Sequence, residues 1–90
     1  FTANGPVRLR NAEHQLSAEP VEPSCQCPTC RQFTRGYLRH LFQADEMLGP
    51  ILLSLHNVSY FMRLMMEIRA AVVAGTFAKY RSDTLARLGP

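Results

Sequence analysis

Apolar positions after Cys30 recur at the three- and four-residue spacing of amphipathic helices. A first helical stretch reaches about Gln43 and carries the apolar set Phe33, Tyr37, Leu38, Leu41 and Phe42. A second helix is predicted to begin at Asp45 or Gly49. Pro50 suits its first residue, because the amide hydrogen that proline lacks has no partner at that position.

Two further helices are predicted in the last third of the chain. Asn57 can cap a long helix that runs to Ala74, and Gly75 can end that helix as a C-cap. Thr76 then caps a last amphipathic helix through Leu88. The long helix is predicted to bury one apolar stripe, made of Val58, Phe61, Met62, Met65, Ile68 and Val72.

The start of the chain has a strand-like pattern instead. Val7 and Leu9 alternate with arginines and follow the turn dipeptide Asn4-Gly5, which predicts a β-hairpin over residues 1–12. The polar segment 13–24 contains two prolines, and we expect it to be an extended linker.

These elements predict an α+β fold that is mostly α and forms one small domain. A β-hairpin, a linker and a metal knuckle occupy residues 1–30, and three to four helices occupy residues 31–90. A chain of this length buries only about 60–65% of its unfolded surface, so it is marginally stable without a covalent or metal staple.

The chain contains three cysteines, crowded together as Cys25, Cys27 and Cys30. An odd set cannot pair off completely into disulfides. Three neighbouring thiolates suit zinc, which needs one further ligand to complete a tetrahedron. A catalytic thiol would instead stand alone beside a base, and an iron–sulfur cluster usually has four cysteines. We therefore predict one structural zinc ion that stabilises the fold and does not activate water.

A histidine is expected to complete the site, and the chain offers three. His56 is favoured, since it lies at a predicted helix start and zinc ligands commonly come from a knuckle and a helix terminus. His40 lies inside the first helix and would have to reach backwards, so we interpret it as a surface or interface side chain. His14 precedes the linker and is expected in an exposed loop.

The net charge is +3, and nine of the ten basic residues are arginine. Arginine suits phosphate and carboxylate contacts, so the composition is compatible with a nucleic-acid partner. Charged and polar residues interrupt the apolar stretches after Pro50, so neither a membrane span nor a signal peptide is predicted. Clustered reduced thiols favour the cytoplasm.

Several short runs together carry a family resemblance. The stronger ones are Cys25-Gln26-Cys27-Pro28-Thr29-Cys30, residues 34–41, Glu46-Met47-Leu48-Gly49 and Leu55-His56-Asn57. Further matches are Phe1-Thr2, Gly5-Pro6, Arg10-Asn11-Ala12, Leu64-Met65, Ile68-Arg69 and Gly75-Thr76-Phe77. The pattern covers essentially all ninety residues and resembles the C-terminal zinc-binding part of tRNA-guanine transglycosylases.

That family exchanges guanine at the wobble position of certain tRNAs for a 7-deazaguanine, either preQ1 or queuine. The resemblance implies a (β/α)8-barrel enzyme with a zinc-binding subdomain near its C-terminus, and an aspartate that forms a covalent intermediate with the ribose. It also implies tRNA as partner, with no membrane or DNA. The implied zinc ligands are Cys25, Cys27, Cys30 and His56.

We expect no catalytic or cofactor-binding residue in this segment. A complete barrel needs about 250 residues, so the chain is expected to be part of a longer enzyme. Its two aspartates, Asp45 and Asp83, are interpreted as a helix-start residue and part of a solvated helix face. Neither matches the catalytic motif of the family.

One face of the first predicted helix is aromatic. Phe33, Tyr37 and His40 share it at helical spacing, together with Ala44. Core packing and a homodimer contact explain this face equally well, because other apolar residues of the helix can supply the core. The resemblance to bacterial members of the family implies the homodimer, where aromatic anchors are favoured.

A neighbouring face of the same predicted helix carries Arg31, Arg35 and Arg39. A solvated surface explains such a run, and contact with the tRNA backbone in the intact enzyme is the functional alternative. Two other hypotheses remain open: a free-standing zinc-stabilised module that binds RNA through these arginines, and a purely structural dimerisation module.

Overall fold

Four α-helices make up most of the computed structural model, which describes residues 1–89. They are α1 (Pro28–Gln32), α2 (Arg35–Gln43), α3 (Leu48–Ala74) and α4 (Phe77–Leu88), preceded by a short 3-10 helix at Ala12–His14. Helix α3 packs against each of the other three helices. Its 27 residues span about 40 Å, so α3 is the axis along which the rest of the chain is arranged.

Helix α3 replaces two predicted helices. No break occurs before Asn57, whose side chain does not cap a helix but accepts a hydrogen bond from the Phe1 amino group at 2.9 Å. Pro50 is the third residue of α3, a position where its missing amide hydrogen leaves no helical bond unmade. Gly75 ends the helix as predicted, with a left-handed φ of 73°.

The first predicted helix is divided in two, because Phe33 and Thr34 are extended. Thr34 caps α2 by accepting a hydrogen bond from the Tyr37 amide at 3.1 Å. The sulfur of Cys27 has the same role for α1, where it accepts from the Cys30 amide at 3.4 Å. Each of the two short helices therefore has its own N-cap residue, and the break at Phe33 and Thr34 supplies the one for α2.

The predicted hairpin over residues 1–12 is replaced by a single tight turn. One antiparallel bridge joins Thr2 to Gly5, with backbone hydrogen bonds of 3.1 and 3.0 Å. Pro6 follows at once and has no amide hydrogen with which to extend a ladder. Residues 7–10 consequently form no strand with any part of the described chain, and Leu9 is buried in the core.

Segment 13–24 packs against α2 and is not the extended linker that was predicted. Val21 is 1% exposed. The Arg35 guanidinium donates from Nε to the Pro20 carbonyl at 3.1 Å and from Nη2 to the Val21 carbonyl at 2.8 Å. Gly36 lets this segment approach, since a Cβ there would lie 2.9 Å from the carbonyl oxygens of Gln15 and Ser17.

The core lies at the first half of α3, around the three cysteines. Its buried members are Leu9, Val21, Cys25, Cys27, Cys30, Leu38, Leu41 and Leu52. Residues before and after position 30 contribute to it together, so the N-terminal segment and the helices share one core.

The second half of α3 contradicts the predicted burial of its apolar stripe. Met62 is 63% exposed and Val72 58%, while Tyr60 and Ala71 are buried instead. Apolar residues surround most of this part of the helix, and the neighbouring elements cover one side of it. Within residues 1–89, no helix has both the length and the apolar character of a membrane span.

Candidate metal centre

Two elements bring the four predicted zinc ligands together. Cys25 precedes α1, Cys27 is its N-cap residue, and Cys30 lies in its first turn. His56 projects from the interior of α3, two turns after the helix begins, and not from the predicted helix start. All four side chains are buried, and His56 has no exposed surface.

The distances between the ligand atoms fit a tetrahedral metal ion. His56 Nδ1 lies 3.5 Å from the sulfur of Cys25, 3.6 Å from that of Cys27 and 3.3 Å from that of Cys30. All four ligand atoms lie within 4.8 Å of one another. Zinc bonds of about 2.3 Å to sulfur and 2.0–2.1 Å to nitrogen give N···S separations of about 3.5 Å in a tetrahedron. The three nitrogen–sulfur distances therefore match those around a tetrahedral zinc ion.

A hydrogen bond fixes the tautomer of His56. Its Nε2–H donates to the main-chain carbonyl of Phe1 at 2.6 Å. The lone pair of Nδ1 is thereby left for the metal, as in other zinc sites where the second ring nitrogen is held by an oxygen acceptor. Burial lowers the pKa of His56 and so favours the neutral, ligating form of the ring.

Main-chain amides stabilise two of the thiolates. The Cys27 amide lies 3.5 Å from the Cys25 sulfur, and the Cys30 amide lies 3.4 Å from the Cys27 sulfur. Burial opposes ionisation of Cys25, but hydrogen bonds from Cys27 and from neighbouring side chains outweigh it and lower the Cys25 pKa.

The pKa of Cys30 shifts in the opposite direction from that of Cys25. Burial, reinforced by the neighbouring Cys27 and Cys25 sulfurs, raises the pKa of Cys30 to about 12. Three ionised sulfurs at these distances repel one another unless a cation lies between them. A metal ion bound between the sulfurs would remove this repulsion.

The site is closed, which indicates a structural role. Protein side chains supply all four ligands of the tetrahedron, whereas a catalytic zinc keeps one position for water or substrate. Three cysteines and a histidine are placed for one zinc ion that joins the α1 region to α3. A hydrogen bond also connects α1 to α3, because the buried Thr29 hydroxyl donates to the Leu52 carbonyl at 2.6 Å.

The aromatic face is only partly available to a partner. The rings of Phe33 and Tyr37 stack with their centroids 5.5 Å apart. Phe33 packs against the core, Tyr37 is 42% exposed, and His40 is exposed as expected. His14 is buried beside the Glu13 carboxylate, at 3.3 Å, so the prediction of an exposed loop for it is wrong.

The three arginines do not form one helical stripe, because Arg31 belongs to α1 and the other two to α2. Arg31 is exposed. Arg35 binds main-chain carbonyls of segment 13–24. Arg39 is half-buried, and its Nε has no hydrogen-bond partner within residues 1–89.

Sequence reasoning missed an ion pair next to the cysteines, in which the carboxylate is buried and the arginine is partly exposed. Arg63 Nη2 lies 2.6 Å from Glu22 Oε1, and the other carboxylate oxygen of Glu22 accepts from the Ala3 amide at 2.7 Å. The two charged residues are 41 positions apart. No local pattern links them, so only the fold could reveal the pair.

Comparison with known proteins gives one consistent family. The family model for queuine tRNA-ribosyltransferase matches residues 1–90. A curated relative of that name from Symbiobacterium thermophilum is 51% identical over 87 residues, which are 97% of this chain and 22% of the relative. The Chromohalobacter salexigens protein is 45% identical over 89 residues, covering 99% of this chain and 24% of that protein. The chain thus spans less than a quarter of the length of these relatives, and it belongs to the queuine tRNA-ribosyltransferase family.

Proposed function

We propose that this chain is the zinc-stabilised C-terminal subdomain of a tRNA-guanine transglycosylase in the cytoplasm. The intact enzyme exchanges wobble guanine in tRNA for preQ1 or queuine through a covalent aspartyl intermediate. The match of the family model to all ninety residues carries this proposal. We assign the nucleophile and the base pocket to the larger part of the enzyme, which the relatives contain and this chain does not cover.

The exposed apolar face of α3 supports a subdomain role. Residues Val58, Phe61, Met62, Met65, Met66, Val72 and Val73 are all largely exposed there. A contiguous apolar surface of this kind is uncommon on a free-standing soluble protein and marks a contact surface. We propose that the barrel of the intact enzyme covers it.

We propose that the segment also contributes to tRNA docking and to a homodimer. Arg31 is exposed, and we propose that it contacts a tRNA phosphate together with the partly exposed Arg35 and Arg39 of α2. Tyr37 and His40 present the exposed part of the aromatic face, and stacking on Phe33 holds the Tyr37 ring in place. A rigid aromatic side chain of this kind is a favoured anchor in protein interfaces.

A chimeric enzyme tests the proposal. This chain replaces the matching segment of the Symbiobacterium thermophilum relative, and incorporation of labelled guanine into a tRNA transcript is measured. We expect the chimera to exchange guanine at a rate within tenfold of the parent, because the two segments are 51% identical.

The control is the same chimera with Cys27→Ser and Cys30→Ser, which we expect to lose zinc and activity together. A chimera that is soluble, binds one zinc ion per chain and still exchanges no guanine would contradict the proposal. Tight tRNA binding by the ninety residues alone, abolished by reversing the charges of Arg31, Arg35 and Arg39, would favour the RNA-binding module instead.

A further inference from the structure

An ion pair between the buried Glu22 and the partly exposed Arg63 lies beside the metal centre and does not hold the metal directly. Glu22 is almost fully buried, and its carboxylate binds both the Arg63 guanidinium and the Ala3 amide. A buried carboxylate with two such partners is fixed in place. Glu22 therefore determines the position of the Arg63 head group.

Arg63 is placed on the metal side of α3. It follows His56 by seven residues, or about two helical turns, so the two side chains share one face of the helix. Arg63 lines one surface groove with Cys27 and Ser59. The Tyr60 ring lies under its guanidinium, 5.5 Å from the carbon to the ring centroid.

The net charge of the zinc-bound site explains why a nearby cation would stabilise it. Zinc carries two positive charges and the three thiolates carry three negative ones, so a Cys3His site is a monoanion when the histidine is neutral. A buried net charge is unfavourable unless an opposite charge lies close to it. Arg63 is the cation that lines one groove with the ligand Cys27. Glu22 holds it there through one carboxylate oxygen, while the other carboxylate oxygen accepts from the Ala3 amide.

We propose that Arg63, held by Glu22, is a positioning residue of the metal centre that offsets its net negative charge and thereby increases zinc affinity. The guanidinium stabilises the thiolate electrons of Cys27, and the ion pair joins the segment around Ala3 to α3 beside the ligands. This inference concerns the metal site alone and holds whether or not the intact enzyme modifies tRNA.

Zinc affinity of the 90-residue chain, measured by competition with a chromophoric chelator, tests the proposal. We expect Arg63→Gln to weaken zinc binding by about 10–100-fold, the usual effect of losing a partner of a ligand. Arg63→Lys keeps the charge and should recover most of that loss. Arg69→Gln is the matched control, because Arg69 is an exposed arginine on the same helix, and its affinity should stay within about twofold of the wild type.

The double variant Glu22→Gln/Arg63→Gln separates charge compensation from simple loss of packing. It removes the cation without leaving the Glu22 carboxylate buried and unpaired, so the chain should fold and still bind zinc weakly. With Co2+ as probe, the thiolate-to-metal charge-transfer band of both Arg63→Gln chains should move to longer wavelength, since the sulfur electrons are held less tightly.

Two outcomes for the double variant would overturn the proposal. One is a double variant that binds zinc as tightly as the wild type, because the unpaired carboxylate would then account for the loss in the single variant. The other is a double variant that stays unfolded at saturating zinc, which would make the ion pair a general determinant of the fold. An unshifted Co2+ band would count against it in the same way.

Discussion

His56 and Phe1 are joined by a 2.6 Å hydrogen bond from the imidazole Nε2 to the main-chain carbonyl, across 55 residues of sequence. The bond orients the ring so that its Nδ1 faces the three cysteine sulfurs. The first residue of the chain, the cysteine segment and α3 therefore meet at the metal centre. A zinc ion bound there would hold together segments that are far apart in the sequence.

Zinc binding should release protons, and Cys30 must lose one of them. Its pKa in the folded, metal-free site is about 12, so its thiol is protonated at pH 7 and zinc has to displace that proton. Acid favours the proton in this competition, so zinc affinity should fall as the pH falls below 7. Calorimetric titrations in two buffers with different ionisation enthalpies measure the protons released. Identical heats in both buffers would show that the thiols were already ionised.

The Thr29 hydroxyl should stabilise the packing of α1 against α3. Thr29→Val preserves the shape of this fully buried side chain but removes its 2.6 Å hydrogen bond to the Leu52 carbonyl. We expect a loss of about 1 kcal/mol in the free energy of unfolding of the zinc-loaded chain. Thr76→Val is the matched control, since the Thr76 side chain makes no capping hydrogen bond. Equal effects of the two substitutions in urea denaturation would refute this role.

Gly36 should be required for the close approach of segment 13–24 to α2. Gly36→Ala would place a Cβ 2.9 Å from two main-chain oxygens that cannot move independently. We expect it to destabilise the chain by about 1–3 kcal/mol, although alanine is the better helix former. Gly49→Ala is the comparison, because its nearest neighbour is the Leu41 side chain at 3.3 Å. A thermal melt in which Gly36→Ala is as stable as the wild type would contradict the packing described here.

The proposed dimer contact predicts an effect of Tyr37 and His40 on self-association. The double substitution Tyr37→Ala/His40→Ala should weaken the dimer about tenfold or more, as expected for an interface anchor. Phe33 is left intact because it packs against the core. Phe77→Ala on α4 removes an aromatic of similar exposure and is the control. Sedimentation equilibrium over a range of concentrations gives the dissociation constants, and equal values for both variants would exclude this face.

The metal ligands could be predicted from sequence because three of them are cysteines that lie within six residues of one another. The number and spacing of Cys25, Cys27 and Cys30 are enough to indicate a site for a soft metal ion. Choosing His56 among three histidines needed an argument about helix ends that was wrong in detail, because His56 lies inside α3. Its place on the buried face of that helix is what brings it to the cysteines.

Other features depended on contacts that periodicity does not encode. The pattern around Val7 and Leu9 is that of a strand, but with Pro6 next to the turn no ladder forms. The stripe on the second half of α3 has the spacing of a buried face, yet Met62 and Val72 are exposed within residues 1–89. An apolar pattern indicates that a surface is to be covered and does not identify what covers it.

Native mass spectrometry of this chain with and without a chelator, paired with circular dichroism, tests the central claim most directly. We predict one zinc ion per chain, and loss of the helical signal when the chelator removes it, because the binding free energy of a structural zinc site is folding free energy. A chain that stays helical and equally stable with no bound metal would contradict the account.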